Sequence, residues 1–452
     1  MWTMIPTLAE IGQPLGAAFT DASFRTHCQL LLAWVMCLGD HNVYRVATTA
    51  NLDRDLPRSQ RHCFDRFYNF FCRSAWIPAA VAREFVLLVV TQLARSGRLT
   101  LVVDDTLLHK RGQHVWGIGW FRDAVASTRK RTATASGHNW VVLALSVRVP
   151  LCPTLSFCIP LRALLHLPGK GRPGCATLAR SMLAEVLDWL PGRDITLLGD
   201  GAYSAKELLL DLPKAVEFIG RVRSDAALYE VKPRRQPRSK RGPKPSKGPR
   251  LPSPKQGAAR ADRSRSSKSE WQWQDVEVTI YGEKCRLKAF SYEAVWPRVC
   301  GLLPVMVVVV RDPEGRMEDA YLFSTKAMPL AAVIEKFAER WGIEVMFRAS
   351  KQQMHIEDPQ HWSTGSVLKV APWVWLVQGL VMLWYLVEGH KTQEAKEEER
   401  LMGPWDSDWS LRHMLRVLRR TTWNATFDSN SASADELLNW FLSLQRAWIL
   451  AT

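Results

Sequence analysis

The sequence predicts an α/β fold, a mixed core interrupted by a strand-rich insertion and flanked by helical regions at both ends. Three observations carry that expectation. Two short apolar runs end in aspartate, "RLTLVVDD" (98–105) and "DITLLGD" (194–200), with the helically spaced "TLARSMLAEVLDWL" (177–190) between them. Four further strand-like runs, "EVTIYG", "CRLKAFSY", "PVMVVVVRD" and "EDAYLFS", crowd into 277–324. Before and after these, apolar residues recur at helical spacing.

At 452 residues the chain is long enough for two or three units with substantial cores. Its 47% apolar and 23% charged residues are ordinary for a globular protein. The net charge of +16 is concentrated in 232–269, which holds 14 Lys or Arg against one acid, Asp262. Without that tract 46 basic and 43 acidic residues remain, so the body is nearly neutral. Nine cysteines without a Cys-x-x-Cys pair argue against a disulfide framework or a zinc site and suit a reducing compartment. No basic stretch followed by an apolar run opens the chain, so the expectation is a cytoplasmic protein. The run "PWVWLVQGLVMLWYLV" (372–387) has 16 residues, short of the ~20 a membrane span needs. It reads as a buried helix with Pro372 in its first turn, and no membrane partner is expected.

Taken in order, "RTHCQLLLAWVMCL" (25–38) and "PAAVAREFVLLVVTQLARSG" (78–97) have helical spacing, and the aromatic "FDRFYNFF" (64–71) between them suits their core. The run 98–105 is then a strand, followed by strands at "HVWGIGWF" (114–121) and "NWVVLALSVRV" (139–149) in a meander. After the helix 177–190 and the strand 194–200, "SAKELLLDL" (204–212) reads as a helix capped by Ser204, and "VEFIGRV" (216–222) as a fifth strand. The tract 232–269, with seven prolines and almost no apolar residues, is expected not to fold. One amphipathic helix is expected over "FAERWGIEVMFRASK" (337–351), and a last helix over "ADELLNWFLSLQRAWIL" (434–450). Three strands in a meander, then helix, strand, helix and strand, match the ribonuclease H-like plan. The division that follows is a helical region at 1–96 and a core at 97–223 and 331–392. The insertion spans 224–330, and a C-terminal helical region 393–452.

In that plan the first strand is central and the fourth lies beside it, so their terminal carboxylates approach one another. Asp104 or Asp105, Asp200, and Glu344 on the late helix then place acidic oxygens from three distant segments at one sheet edge. Clustered carboxylates repel unless a cation sits among them, and Mg²⁺ prefers such oxygen ligands. At ~100° per residue, Phe337, Arg340, Glu344, Arg348 and Lys351 fall within an arc of roughly 80° on the helix. Cations flanking a metal-binding glutamate suit phosphate, although an i,i+4 Arg340–Glu344 pair explains part of the pattern equally well.

The residues "F-A-E-R-W-G-I-E", six intervening positions and Lys351 resemble the signature of bacterial insertion-sequence DDE transposases, Tyr-x2-Arg-x3-Glu-x6-Asn or Lys. Arg340, Trp341, Ile343, Glu344 and Lys351 match, while Phe337 stands in place of the tyrosine and lacks its hydroxyl. "LVVDDTLLHKRG" resembles the family's first motif and selects Asp104, with Thr106 and Lys110 as companions and Asp105 as runner-up. "LLGDGAYSAKELL" resembles the second and gives Asp200 and Tyr203. The resemblance implies a homodimeric synaptic complex on double-stranded DNA, comprising terminal inverted repeats and target, in a bacterial, nucleoid-associated setting. It also implies two Mg²⁺ ions, replaceable by Mn²⁺, on Asp104, Asp200 and Glu344. Arg340, Lys351, Lys110, Tyr203 and Arg348 become DNA contacts, and Trp271, Trp273 and Trp296 are the tryptophans to weigh as stacking partners for a flipped base. Two rival readings are a metal-dependent endonuclease that does not join strands and a former transposase that only binds DNA. The basic tract suits sequence-blind phosphate contact. The loop "GKGRPG" (169–174) lacks the P-loop pattern, and His109, His114 and His138 are not spaced as ligands.

Overall fold

The computed structural model describes residues 2–50, 63–128, 130–150, 152–231, 247–264, 271–403 and 409–429. Among the described residues the α-helices α1 (Pro6–Gly12), α2 (Asp21–Met36), α3 (Val43–Ala50), α4 (Cys63–Cys72) and α5 (Pro78–Leu93) come first. Strands β1 (Leu99–His109), β2 (Gly119–Arg122), β3 (Thr134–Val149) and β4 (Cys152–His166) follow. Then come α6 (Cys175–Trp189), β5 (Ile195–Gly199), α7 (Lys206–Leu209) and β6 (Val216–Arg221). The next segment holds α8 (Pro254–Arg263), β7 (Gln274–Ile280), β8 (Glu283–Val295), α9 (Pro297–Cys300), β9 (Pro304–Arg311) and β10 (Ala320–Ser324). Last are α10 (Leu330–Glu339), α11 (Trp341–Gln352), α12 (Thr364–Val387), α13 (Gln393–Arg400) and α14 (Leu411–Ser429).

The ten strands of the described residues join one mixed sheet in the order β2-β3-β1-β5-β6-β10-β9-β8-β7, with β4 also on β3. β1, β5 and β6 are mutually parallel, whereas β3 is antiparallel to both β1 and β4. The strands after residue 270 extend the same sheet, because β10 pairs antiparallel with β6. β1 and β5 are buried almost throughout, as their near-continuous apolar runs require of strands covered on both faces.

Several expectations are corrected. The strand expected at 114–121 is only Gly119–Arg122, and it pairs with β3 rather than β1. The third core strand is β4, whose prolines break any alternation. Its register against β3 shifts beside Pro160, where the missing N–H removes a ladder bond. The helix expected at 204–212 is the single turn α7, capped at Ala205, while Ser204 Oγ bonds the Arg221 carbonyl at 2.6 Å. α12 begins at Thr364, capped by Ser363, so Pro372 lies inside it. The carbonyl that loses its partner belongs to Leu368, an exposed residue of the helix.

Part of the basic tract folds. α8 opens on a capping box between Ser253 and Gln256, with Pro254 in its first turn. It buries Gly257, Ala258 and Ala261, and a Cβ on Gly257 would come within 2.5 Å of the Trp271 ring. Small residues fill this contact, so a count of large apolar side chains misses it. Residues 232–246, 265–270 and the expected helix 434–450 lie outside the described residues.

α12 is long and apolar enough to cross a membrane, yet 89% of its most apolar window is buried inside the fold. It packs on β4, α5 and α14 as a central core helix. Its one amide, Gln378, is fully buried and bonded, accepting from Ser350 Oγ at 2.6 Å and donating to the Met346 carbonyl at 3.3 Å. These bonds tie α12 to α11, the helix that carries Glu344.

Candidate active site

The parallel register builds the site. Val103 on β1 pairs with Gly199 on β5, so the next residues, Asp104 and Asp200, lie side by side where β5 ends, while β1 runs on to His109 instead of ending at Asp105 as expected. Gly199 is required here: a Cβ would lie 2.9 Å from Tyr203 Cβ, and Tyr203 is fully buried beneath the strand end. Asp200 Oδ1 accepts from the Ala202 N–H at 2.8 Å, which turns the chain away from the sheet.

Successive residues of a strand point to opposite faces, so Asp104 and Asp105 have different surroundings. Asp104 faces the late helices, where Arg340 donates to its Oδ2 at 3.0 Å and to Glu344 Oε1 at 2.6 Å. One guanidinium thus bridges the first-strand aspartate and the helical glutamate. Asp105 instead accepts from the Tyr203 hydroxyl and from Asn139 Nδ2, each at 3.0 Å. Its oxygens are held by uncharged donors on the other face.

The helix expected over 337–351 is two helices meeting at Arg340. The Arg340 N–H bonds the Phe337 carbonyl and the Ile343 N–H bonds the Arg340 carbonyl, both tight i→i−3 contacts. This tightened turn brings the guanidinium onto Asp104. Only 13% of the Arg340 side chain and 17% of that of Asp104 remain exposed, so the pair is largely shielded from water. Arg340 Nε is buried without a hydrogen-bond partner among the described residues.

Burial, with the Asp200 carboxylate second, raises the Asp104 pKa to about 7 from 3.8, against the opposing pull of Arg340. A carboxyl whose pKa rises on folding stabilises most when protonated. Its contribution is complete below about pH 4 and is lost as pH rises through 7. The metal-free protein is therefore expected to lose melting temperature between pH 5 and 8, with Asp104→Asn flattening that slope; a thermal melt series measures it.

The other expected contacts are placed differently. Lys110 is buried and donates to the carbonyls of Glu357 and Pro359 at 2.6 and 3.0 Å, and burial lowers its pKa to about 8. Lys351 donates to the Leu107 carbonyl at 2.6 Å and lies 3.6 Å from Glu357. Tyr203 is sealed under the site, so its hydroxyl meets Asp105 and not solvent. These three side chains brace β1 rather than face outwards. Arg348 is exposed and lines a groove of about 740 Å³ with Trp341, Tyr281 and Arg412. Glu357, unmarked in the sequence reading, is the hub of the far end: it accepts from the His109 N–H and ring and faces Lys351. Nothing in its local sequence marks it, because the His109 groups that it holds lie 248 positions earlier in the chain.

Trp271 packs on Tyr292, Trp273 donates to Asp262 beneath the Arg311 guanidinium, and Trp296 is buried edge-on against Phe323. Each serves the core of the inserted strands. The ligand atoms of His41, His355 and Asp358 lie within 4.8 Å of one another. However, the two imidazoles stack at 4.6 Å with their planes 9° apart, and both His41 nitrogens face carbonyl oxygens. In-plane lone pairs on parallel rings do not converge on one ion, so this group ties α2 to the core.

Residues 14–283, more than half of the chain, match the family of DDE superfamily endonucleases, a span that includes Asp104 and Asp200 and ends before Glu344. No curated protein matches the sequence. Among solved structures, the cryo-EM structure of a piggyBac transposase synaptic complex with hairpin DNA is similar over 96% of this chain and 80% of that one. The identity is 11% and the TM-score 0.40.

Proposed function

The chain belongs to the DDE superfamily of endonucleases, and from that premise we propose that it is a DNA transposase of an insertion sequence, cutting the element's ends and joining them to target DNA. The observation that carries the proposal is the meeting of three carboxylates: the β1–β5 register sets Asp104 beside Asp200, and one guanidinium, that of Arg340, joins Asp104 to Glu344. The strand order β4-β3-β1-β5-β6, antiparallel on one side of β1 and parallel on the other, supports a ribonuclease H-like core.

The donor set fits hard divalent cations. Its oxygens already turn towards a positive charge, and Asp104 is held near pH 7 by burial and a neighbouring carboxylate, a strain that a cation relieves. Asp104, Asp200 and Glu344 would hold two Mg²⁺ ions, with Mn²⁺ as a substitute, activating the attacking oxygen and stabilising the leaving oxygen of an in-line displacement. The protein's own part is positional. The β1–β5 register fixes two carboxylates, the Gln378–Ser350 bonds hold α11 against the core, and Lys110, Lys351 and Glu357 brace β1. In the first step water attacks a phosphodiester, the bond to the 3′ oxygen breaks, and a 3′-hydroxyl and a 5′-phosphate are released. In the second that hydroxyl attacks target DNA in the same way.

The N-terminal helices and the insertion would recognise the terminal repeats within a homodimeric complex, and the basic tract would hold flanking phosphates. A bacterial cytoplasmic, nucleoid-associated location follows from this reading. The family's description as endonucleases favours a second reading, cleavage without joining. Incubating the protein and Mn²⁺ with a pre-cut duplex of the DNA flanking the coding sequence, 3′-hydroxyl exposed, and a supercoiled plasmid separates the two. Covalent end-to-plasmid products are expected; cleavage with no joined product would leave an endonuclease.

A further inference from the structure

We infer that Arg221 is the residue of this site that grips a DNA phosphate, an inference that rests on the nucleic-acid reading above. Gly220 on β6 pairs with Gly199 on β5, as Gly199 does with Val103 on β1. One step further along three neighbouring parallel strands, Asp104, Asp200 and Arg221 therefore form a row. Adjacent strands lie ~4.8 Å apart, so a long side chain at the end of that row reaches over the carboxylates.

The cations that the sequence assigns to DNA are mostly committed elsewhere. Arg340 holds Asp104 and Glu344, Lys351 holds a β1 carbonyl, and Lys110 is buried on two carbonyls. Arg221 is exposed and, among the described residues, pairs with no carboxylate. Its guanidinium carbon instead sits 5.8 Å from the centre of the Phe337 ring. Arg340 lies at the same 5.8 Å from that ring.

An aromatic face attracts a guanidinium without neutralising it, so Phe337 orients Arg221 while leaving its donors available. Two like charges on one ring repel, and an anion between or beside them removes the repulsion. A phosphodiester oxygen pair matches the planar fork of arginine in both charge and geometry. The arrangement also gives Phe337 a purpose where the resembling family has tyrosine: the ring supplies a shelf, and Arg221 supplies the donor that a hydroxyl would have offered.

The test is binding of a duplex of the DNA flanking the coding sequence to the full chain in EDTA, measured across a salt series. Wild type, Arg221→Gln and Arg221→Lys are compared after thermal melts have checked folding. Arg221→Gln is expected to weaken binding about tenfold and to reduce the slope of log affinity against log salt by ~0.9, the share of one phosphate contact. Arg221→Lys should keep the slope and lose about threefold, because a point charge replaces a fork. A residue that only supports the fold would leave the slope unchanged. Wild-type affinity and slope in Arg221→Gln would overturn the inference; if that variant does not fold, unchanged affinity in Arg221→Lys does the same. Wild type that binds no DNA would sink the transposase reading as well. Wild type that binds normally beside an indifferent Arg221→Gln sinks this inference alone.

Discussion

Asp104→Asn is expected to lower strand cleavage by about a thousandfold, whereas Asp105→Asn should stay within about tenfold of wild type. The neighbours differ because β1 turns them to opposite faces. Asp104 shares Arg340 with Glu344 and has Asp200 beside it, so its charge belongs to the site. Losing one cation-binding oxygen pair removes roughly 4 kcal/mol of transition-state stabilisation, which is a factor of about 10³. Asp105 is satisfied by Tyr203 and Asn139. An asparagine there turns an amide against one of two donors and costs about 1–3 kcal/mol of stability instead. Single-turnover cleavage and urea melts on both variants make the comparison. Equal catalytic losses in the two would contradict the assignment of Asp104.

Arg340→Met should destabilise the metal-free protein by about 3 kcal/mol, and Mn²⁺ should restore much of that loss. The guanidinium is the only cation within hydrogen-bond distance of the Asp104 carboxylate among the described residues. Removing one partner of a buried pair leaves the other charge uncompensated, at about 3–5 kcal/mol. Uptake of a proton by Asp104, already held near pH 7, limits the loss to the lower part of that range. A divalent ion replaces the missing charge, so the stabilisation produced by Mn²⁺ in urea melts should be larger in the variant than in wild type. An identical response to Mn²⁺ in both would show that Arg340 and the ion do not share the carboxylates.

Much of this arrangement is legible in the sequence, and what is not has physical causes. β1 and β5 announce themselves because strands buried on both faces need near-continuous apolar runs, and the end of β5 before Asp200 follows from chain position, whereas the continuation of β1 past Asp104 and Asp105 to His109 does not. The strands after residue 270 are β-branched or apolar runs set off by turn residues and are read within a few residues. β4 is not legible: Pro153 and Pro160 interrupt any period, and its place is set by β3 alone. α8 hides in a tract of cations because its contact is made of glycine and alanine. The break at Arg340 leaves no local mark either, since helical spacing continues through it and the turn is fixed by Asp104, 236 positions earlier. Side-chain roles are the hardest to read. Lys110 and Tyr203 have the residue types and positions of DNA contacts, yet Glu357, Pro359 and Asp105 draw them inward. Arg221 is the converse case, an ordinary strand-end arginine that only the β5–β6 register places beside the carboxylates.

The most direct measurement is cleavage of a duplex carrying the DNA that flanks the coding sequence, with Mg²⁺ and with EDTA, by wild type and by Glu344→Gln. The substitution keeps the shape of the side chain and removes its charge, and DNA binding is followed in the same samples. Cleavage that needs the metal and disappears in Glu344→Gln while binding persists is the expected result. Binding with no cleavage by wild type in Mg²⁺ or Mn²⁺, or a Glu344→Gln variant that cuts as fast as wild type, would contradict a catalytic site built on these three carboxylates.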